Sequence, residues 1–111
     1  MISVVYDVGV YRNILDEVVE DGDIVLEIGP HVGKTVERYL KKTKLTVAVD
    51  KSDQAAKAIL LLMERGGNLR FVLGDVRDFE TIKEVLRLTE RCDIFAVDMG
   101  GGRYPDTVFK V

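Results

Sequence analysis

Four short apolar runs, Ile24-Val25-Leu26-Glu27-Ile28, Leu45-Thr46-Val47-Ala48-Val49, Leu69-Arg70-Phe71-Val72-Leu73 and Ile94-Phe95-Ala96-Val97, constrain this chain more than any other feature. Each is rich in β-branched or aromatic types and nearly continuous, not alternating. A strand with one wet face alternates apolar and polar residues, whereas a strand buried on both faces does not. The runs therefore predict parallel strands covered on both sides. Amphipathic stretches of helical length separate them. Residues 34–42 put Val36, Tyr39 and Leu40 on one stripe. Residues 53–65 carry Ala55, Ala56, Ile59, Leu60, Leu62 and Met63, with Gly66-Gly67 as a stop. Residues 78–91 turn Ile82, Val85, Leu86 and Leu88 inward, with Lys83, Glu84, Arg87 and Glu90 outward. An earlier helix, from about Tyr11 to Val19, has Ile14, Leu15, Val18 and Val19 as its stripe and stops at Asp21-Gly22-Asp23.

Helix and strand alternate four times, which predicts an α/β fold: an open parallel sheet of about four strands with flanking helices and right-handed crossovers. No repeat or linker interrupts it, so residues 1–111 read as one domain. Met1 to Val10 reads as a short strand or an extended lead-in, and Tyr104-Pro105-Asp106 as a turn into a further helix cut off at Val111. With 47% hydrophobic residues and no biased tract, disordered and collagenous classes are excluded. The net charge of −3 argues against a general nucleic-acid binder, though not against RNA or protein as a substrate. A lone Cys92 permits no internal disulfide and suits a reducing compartment. The N-terminus lacks the pattern of a signal peptide, and no apolar stretch approaches the ~18 residues of a membrane span. A cytoplasmic location is the expectation.

In an open parallel sheet, ligands sit outside the carboxyl ends of the strands. The residues that close each run are thus the informative ones, and an acid stands at or near every one. The first run closes with Glu27-Ile28-Gly29-Pro30-His31-Val32-Gly33-Lys34-Thr35, the second with Asp50, the third with Gly74-Asp75 and the fourth with Asp98-Met99-Gly100-Gly101-Gly102.

Three readings compete for the turn from Gly29 to Gly33. A P-loop needs four residues between its first glycine and Gly-Lys-Thr; here there are three, which removes one backbone N–H from the phosphate cradle. A dinucleotide turn needs G-x-G-x-x-G, which this spacing does not supply. The third reading uses Glu27, which would repel a pyrophosphate and attract an ammonium or a sulfonium. A ligand with an amino-acid end and a ribose matches this set better than one with phosphates.

On these residues the chain resembles the class I S-adenosylmethionine-dependent methyltransferases. Their first motif is an acid, any residue, then G-x-G-x-G; here it reads Glu27-Ile28-Gly29-Pro30-His31-Val32-Gly33, with His31 in place of the middle glycine. The resemblance runs from about Ile24 to Asp98. It implies a three-layer Rossmann-like domain with S-adenosylmethionine as cofactor and S-adenosylhomocysteine as product. It also implies roles. Glu27 would hold the ammonium of the methionine moiety, directly or through water. Gly29, Pro30, His31 and Gly33 would form the cofactor turn. Asp50 would bind both ribose hydroxyls, its two acceptor oxygens matching them. Lys51 would lay its alkyl stem on the adenine. Asp75 would accept from the adenine amine, and Val76 would offer its backbone N–H to the ring. Asp98 and the glycines after it look like the fourth motif, where Asp98 would orient the acceptor or act as general base. That stretch differs from the Asn-Pro-Pro-Tyr type of amino-methylating nucleic-acid enzymes.

The alternatives are a non-catalytic nucleotide- or metabolite-binding module of the same fold and, less well matched, a P-loop-like protein. The family's sheet has seven strands and only four are read here. The expectation is therefore a cofactor-binding portion lacking the last strands, with the fourth run left as an exposed edge. A second copy pairing on that edge, as a homodimer, would cover it. The methyl acceptor is not specified by these residues, and no metal site is read. Cys92 and the Arg38, Lys41, Lys42 and Lys44 cluster read as core packing and a solvated helix end.

Overall fold

The four apolar runs form neighbouring strands. In a computed structural model describing residues 1–100 and 104–111, they are β2 (Ile24–Ile28), β3 (Leu45–Asp50), β4 (Leu69–Leu73) and β5 (Ile94–Val97). They lie parallel in the order β5-β2-β3-β4. Crossovers between them carry α2 (Lys34–Tyr39, continued by a 3₁₀ turn over Leu40–Lys42), α3 (Asp53–Met63) and α4 (Phe79–Thr89). Before β2 come β1 (Ile2–Val5) and α1 (Val8–Val18), and after β5 comes β6 (Asp106–Lys110).

Capping follows from the sequence. The Asp7 carboxylate accepts from the Val10 N–H at the start of α1, and the Ser52 hydroxyl accepts from the N–H groups of Gln54 and Ala55 at the start of α3. Each cap of this kind is worth about 1 kcal/mol. Because Ser52 caps α3, Asp50 is free of that task.

Successive residues of a strand face opposite sides, and the two faces of this sheet are covered unequally. On one, Tyr11 and Leu15 of α1, Val36 and Tyr39 of α2, and Ile59 and Leu62 of α3 pack over Val25, Ala48, Ile94 and Val108. On the other, α4 lays Val85 and Leu88 over Leu26, Val47, Val49 and Val72. Fully burying a side chain of this size stabilises by roughly 1.5–3 kcal/mol, so each face contributes heavily. Leu60 and Leu86, expected inward, are more than half exposed; the buried positions of α4 are Thr81, Val85 and Thr89. Each stands one step off its helix's buried stripe, next to Ile59 and Val85 respectively, where an apolar side chain reaches water.

The C-terminal end departs from expectation, whereas the N-terminal end contains the short strand that was one of its two readings. Tyr104-Pro105-Asp106 leads into a strand, not a helix: β6 pairs antiparallel with β5, with Phe95 opposite Phe109 and Ala96 opposite Val108. Met1 to Val10 splits into β1, antiparallel to β6, and the first residues of α1. The sheet therefore has six strands in the order β1-β6-β5-β2-β3-β4. β5 is an inner strand, so the edge that a second copy was expected to cover is filled by the chain itself.

Candidate functional site

The carboxyl ends of β2, β3, β4 and β5 open onto one crevice with two halves. One half, about 420 Å³, is walled by Gly29, Pro30, His31, Val32, Lys34, Asp50, Asp98 and Gly100, with Val8 and Arg12 reaching in from α1. The other, about 370 Å³, is walled by Ile28, Gly29, Val49, Asp50, Lys51, Gly74, Asp75, Val76, Arg77 and Met99. Gly29 and Asp50 belong to both halves and form the saddle between them. All the expected rim residues except Glu27 and Gly33 thus line one or the other of these two adjoining spaces. Gly101 and Gly102 lie outside the described residues.

Gly29 sits at φ +76°, and a Cβ there would come within 2.5 Å of the Asp98 carbonyl oxygen. The first turn and the end of β5 are in backbone contact, which only glycine allows. Gly33, at φ +81°, caps α2, and a Cβ there would strike Leu62 and Ile59 of α3. Helix packing accounts for Gly33 without a ligand. His31 adopts φ +55°, a left-handed conformation uncommon for a residue with a side chain. Its backbone N–H donates to Asp50 Oδ2 at 3.2 Å, and the Ser52 N–H donates to Oδ1 at 3.0 Å. Asp50 is thereby fixed in orientation at the saddle. In the smaller half, Arg77 grips Asp75: its Nη2 donates to Oδ2 at 2.6 Å and its backbone N–H to Oδ1 at 2.9 Å. That grip holds the Asp75 carboxyl well below the usual carboxylate range.

Glu27 lies beneath the larger half, wholly buried. Its Oε1 accepts from the Tyr39 hydroxyl at 2.8 Å, while Oε2 is buried without a partner. Burial pushes its carboxyl up to about 8; the Tyr39 hydrogen bond and Arg12 act against this, and the like charges of Asp98 and Asp106 add to it. Burial beside Glu27 also raises Tyr11 and Tyr39. Asp106, at the start of β6, accepts from the Met99 N–H at 2.7 Å and leaves Oδ2 buried and unpartnered. Burial and the facing Asp98 raise its carboxyl too. Sequence reasoning missed Arg12, Tyr11, Arg77 and Asp106. The alternation Asp106-Thr107-Val108-Phe109 was the available signal for a strand that starts on an acid at this rim.

No family model matches the chain, and no curated protein matches it in sequence. Solved structures do. Fibrillarin of Aeropyrum pernix, with natively bound S-adenosyl-L-methionine, superposes with a TM-score of 0.63 at 19% identity, over 83% of this chain and 42% of its own. TrmK of M. capricolum, in complex with S-adenosyl-homocysteine, gives 0.55 at 12% identity, over 87% and 65%. An rRNA methylase of Streptococcus thermophilus gives 0.58 at 14% identity, over 94% and 96%. The fold is that of the class I methyltransferases. The chain spans 65% of TrmK and 42% of fibrillarin, and nearly all of the rRNA methylase. No helix among the described residues is long and apolar enough to cross a membrane.

Proposed function

We propose that residues 1–111 act as one S-adenosylmethionine-binding methyltransferase domain that passes a methyl group to an acceptor seated beside Asp98. The observation that carries this reading is the crevice itself: two halves joined at Gly29 and Asp50, one beside a buried acid and the other walled by apolar residues and a fixed carboxylate. A nucleoside with a cationic amino-acid tail has this shape and this charge. Glu27 Oε2, buried and unpartnered, fits a ligand that brings a positive group. The residues that would hold the cofactor are Glu27 and Arg12 at the amino-acid end, Asp50 at the ribose, and Lys51, Asp75 and Val76 at the adenine, with Gly29, Pro30, His31 and Gly33 shaping the turn.

When bound, S-adenosylmethionine supplies a methyl group on a sulfonium, open to in-line displacement without a metal. The protein's share is to hold donor and acceptor in line at near contact. Asp98 stands at the larger half and orients the acceptor, or takes its proton where it has one to lose. A polyphosphate ligand fits less well: Lys34 lines the larger half, but so do the carboxylates of Asp50 and Asp98.

Calorimetry with S-adenosylmethionine and S-adenosylhomocysteine tests the reading. Both bind the unaltered protein, and Asp50→Ala weakens both about 10- to 100-fold, the worth of hydrogen bonds to a charged acceptor. Absence of binding at millimolar ligand overturns it. Binding of ATP with magnesium that is lost on Lys34→Ala would favour the phosphate reading instead. Binding of S-adenosylmethionine without turnover on any acceptor would leave a non-catalytic module.

A further inference from the structure

Under the larger half of the crevice, Tyr11 from α1, Glu27 from β2, Tyr39 from α2, Asp98 from the end of β5 and Asp106 from β6 converge. Tyr11, Glu27, Tyr39 and Asp106 are each 0% exposed. Three of their polar atoms, Tyr11 Oη, Glu27 Oε2 and Asp106 Oδ2, are buried with no hydrogen-bond partner. Buried polar atoms are nearly always satisfied. Asp106 meets the Asp98 carboxyl, a contact that is a hydrogen bond once one of the two carries a proton, while Tyr11 Oη and Glu27 Oε2 have no partner. The charges are unbalanced in the same sense: three carboxyls meet, and among the described residues Arg12 is the cation that bears on Glu27. Arg12 is itself held at one side, its Nε donating to Thr35 Oγ1 at 3.0 Å. Two carboxylates with no hydrogen between them repel, whereas a proton on either joins them.

Resting on the cofactor reading above, we propose that this well holds a proton in the free protein and releases it when the ammonium end of the ligand seats, with Asp106 as the positioning residue that sets the pH at which it does so. The exchange balances: a neutral carboxyl of the well gives its proton to solvent, and the carboxylate left behind faces the ligand's ammonium. Asp106 does not line the crevice. It acts through Asp98, which it faces, and through the Met99 N–H, which ties the end of β5 to β6. Burial and mutual repulsion place the exchange close to neutrality, where Glu27 titrates at about 8.

The test is titration calorimetry of the full chain with S-adenosylhomocysteine, which keeps the ammonium and lacks the sulfonium. It runs between pH 5.5 and about 9, so that the range spans the Glu27 carboxyl at about 8, in buffers of different ionisation enthalpy. The ligand's amine stands beside its own free carboxylate, which makes it more basic than the amine of a peptide N-terminus, so it stays charged over most of this range. Below the Glu27 value about one proton is released per ligand bound, and affinity rises about tenfold per pH unit. Asp106→Asn removes one of three like charges, so its affinity levels off about one pH unit lower. Tyr39→Phe removes the hydrogen bond that favours the Glu27 carboxylate, so its affinity levels off higher. A merely structural role would not move the two variants in opposite directions. The proton count on the unaltered protein decides the matter even if a variant fails to fold. Binding with no proton released and no pH dependence overturns the inference and leaves the cofactor reading standing. No binding at any pH overturns the cofactor reading, and the inference with it.

Discussion

Two hollows among the described residues differ in kind: one is almost wholly apolar, the other is the crevice at the strand ends. Between α4 and the sheet lies a space of about 530 Å³ walled by apolar side chains such as Leu26, Val85, Phe95 and Phe109. The halves of the crevice at the strand ends are each smaller, about 420 and 370 Å³, but carboxylates, the guanidiniums of Arg12 and Arg77 and backbone N–H groups converge on them. The difference has a structural origin. Three helices cover one face of the sheet and α4 alone covers the other, so the α4 side leaves apolar surface incompletely filled. Convergent polar groups orient a ligand, whereas an apolar wall only shelters it from water. The crevice also contains features that do nothing for stability, since a buried carboxyl with an orphaned oxygen opposes folding.

Gly29→Ala gives the largest effect, because Gly29 is the saddle of the crevice. A left-handed non-glycine residue costs about 1–2 kcal/mol and overpacking about 1–3 kcal/mol more. Here the methyl would meet the Asp98 carbonyl oxygen, a backbone atom, at 2.5 Å. Denaturant unfolding should show a loss of about 3 kcal/mol, together with loss of S-adenosylhomocysteine binding. Full stability in the variant would mean that β2 and β5 part freely at this end, and that the crevice is not the fixed cleft described above.

Next in size is the pH dependence of stability set by Glu27, whose carboxyl is raised from 4.5 to about 8 on folding. Between these values the folded state holds a proton that the unfolded state has lost. The stability this proton contributes is complete below the unfolded value and disappears as pH rises through the folded one. Thermal or denaturant unfolding should therefore show stability falling by on the order of 3 kcal/mol from pH 5 to pH 8. In Glu27→Gln, which keeps an acceptor for Tyr39 and cannot ionise, most of that fall should vanish. An unaltered slope in the variant would place the titrating group elsewhere.

How much of this was legible in the sequence differs between the middle of the chain and its ends. The four parallel strands announce themselves because burial on both faces forces continuous apolar runs, and a strand's last residue names its place on the rim. Glu27, Asp50, Asp75 and Asp98 could be found for that reason. β6 was not, and β1 stood only as one of two readings, because Ile2–Val5 and Asp106–Lys110 alternate in burial and form no continuous apolar run. Pro105 after Tyr104 also suits a helix start as well as the entry to a strand. Asp106 was lost with β6, and Tyr11 and Arg12 because a helix pattern shows which face is apolar but not what its first turn overhangs. The depth of Glu27 was hidden too. A motif position says that an acid closes a strand at the rim, not that it is wholly buried with one oxygen unpaired.

The smallest expected effect is the sharpest test of the contrast between the hollows. Leu86 stands on α4 at the mouth of the apolar hollow and is 64% exposed. Leu86→Gln keeps helix propensity and removes apolar surface that is mostly wet already, so stability should change by no more than about 0.5 kcal/mol. Affinity for S-adenosylhomocysteine should stay within about twofold, since no polar group of the crevice touches this position. A tenfold loss of affinity with stability intact would show that the ligand reaches the α4 side through Ile28, Val49 and Val76, which wall both spaces. The two hollows would then be one site, with the apolar part taking a portion of the ligand or its acceptor.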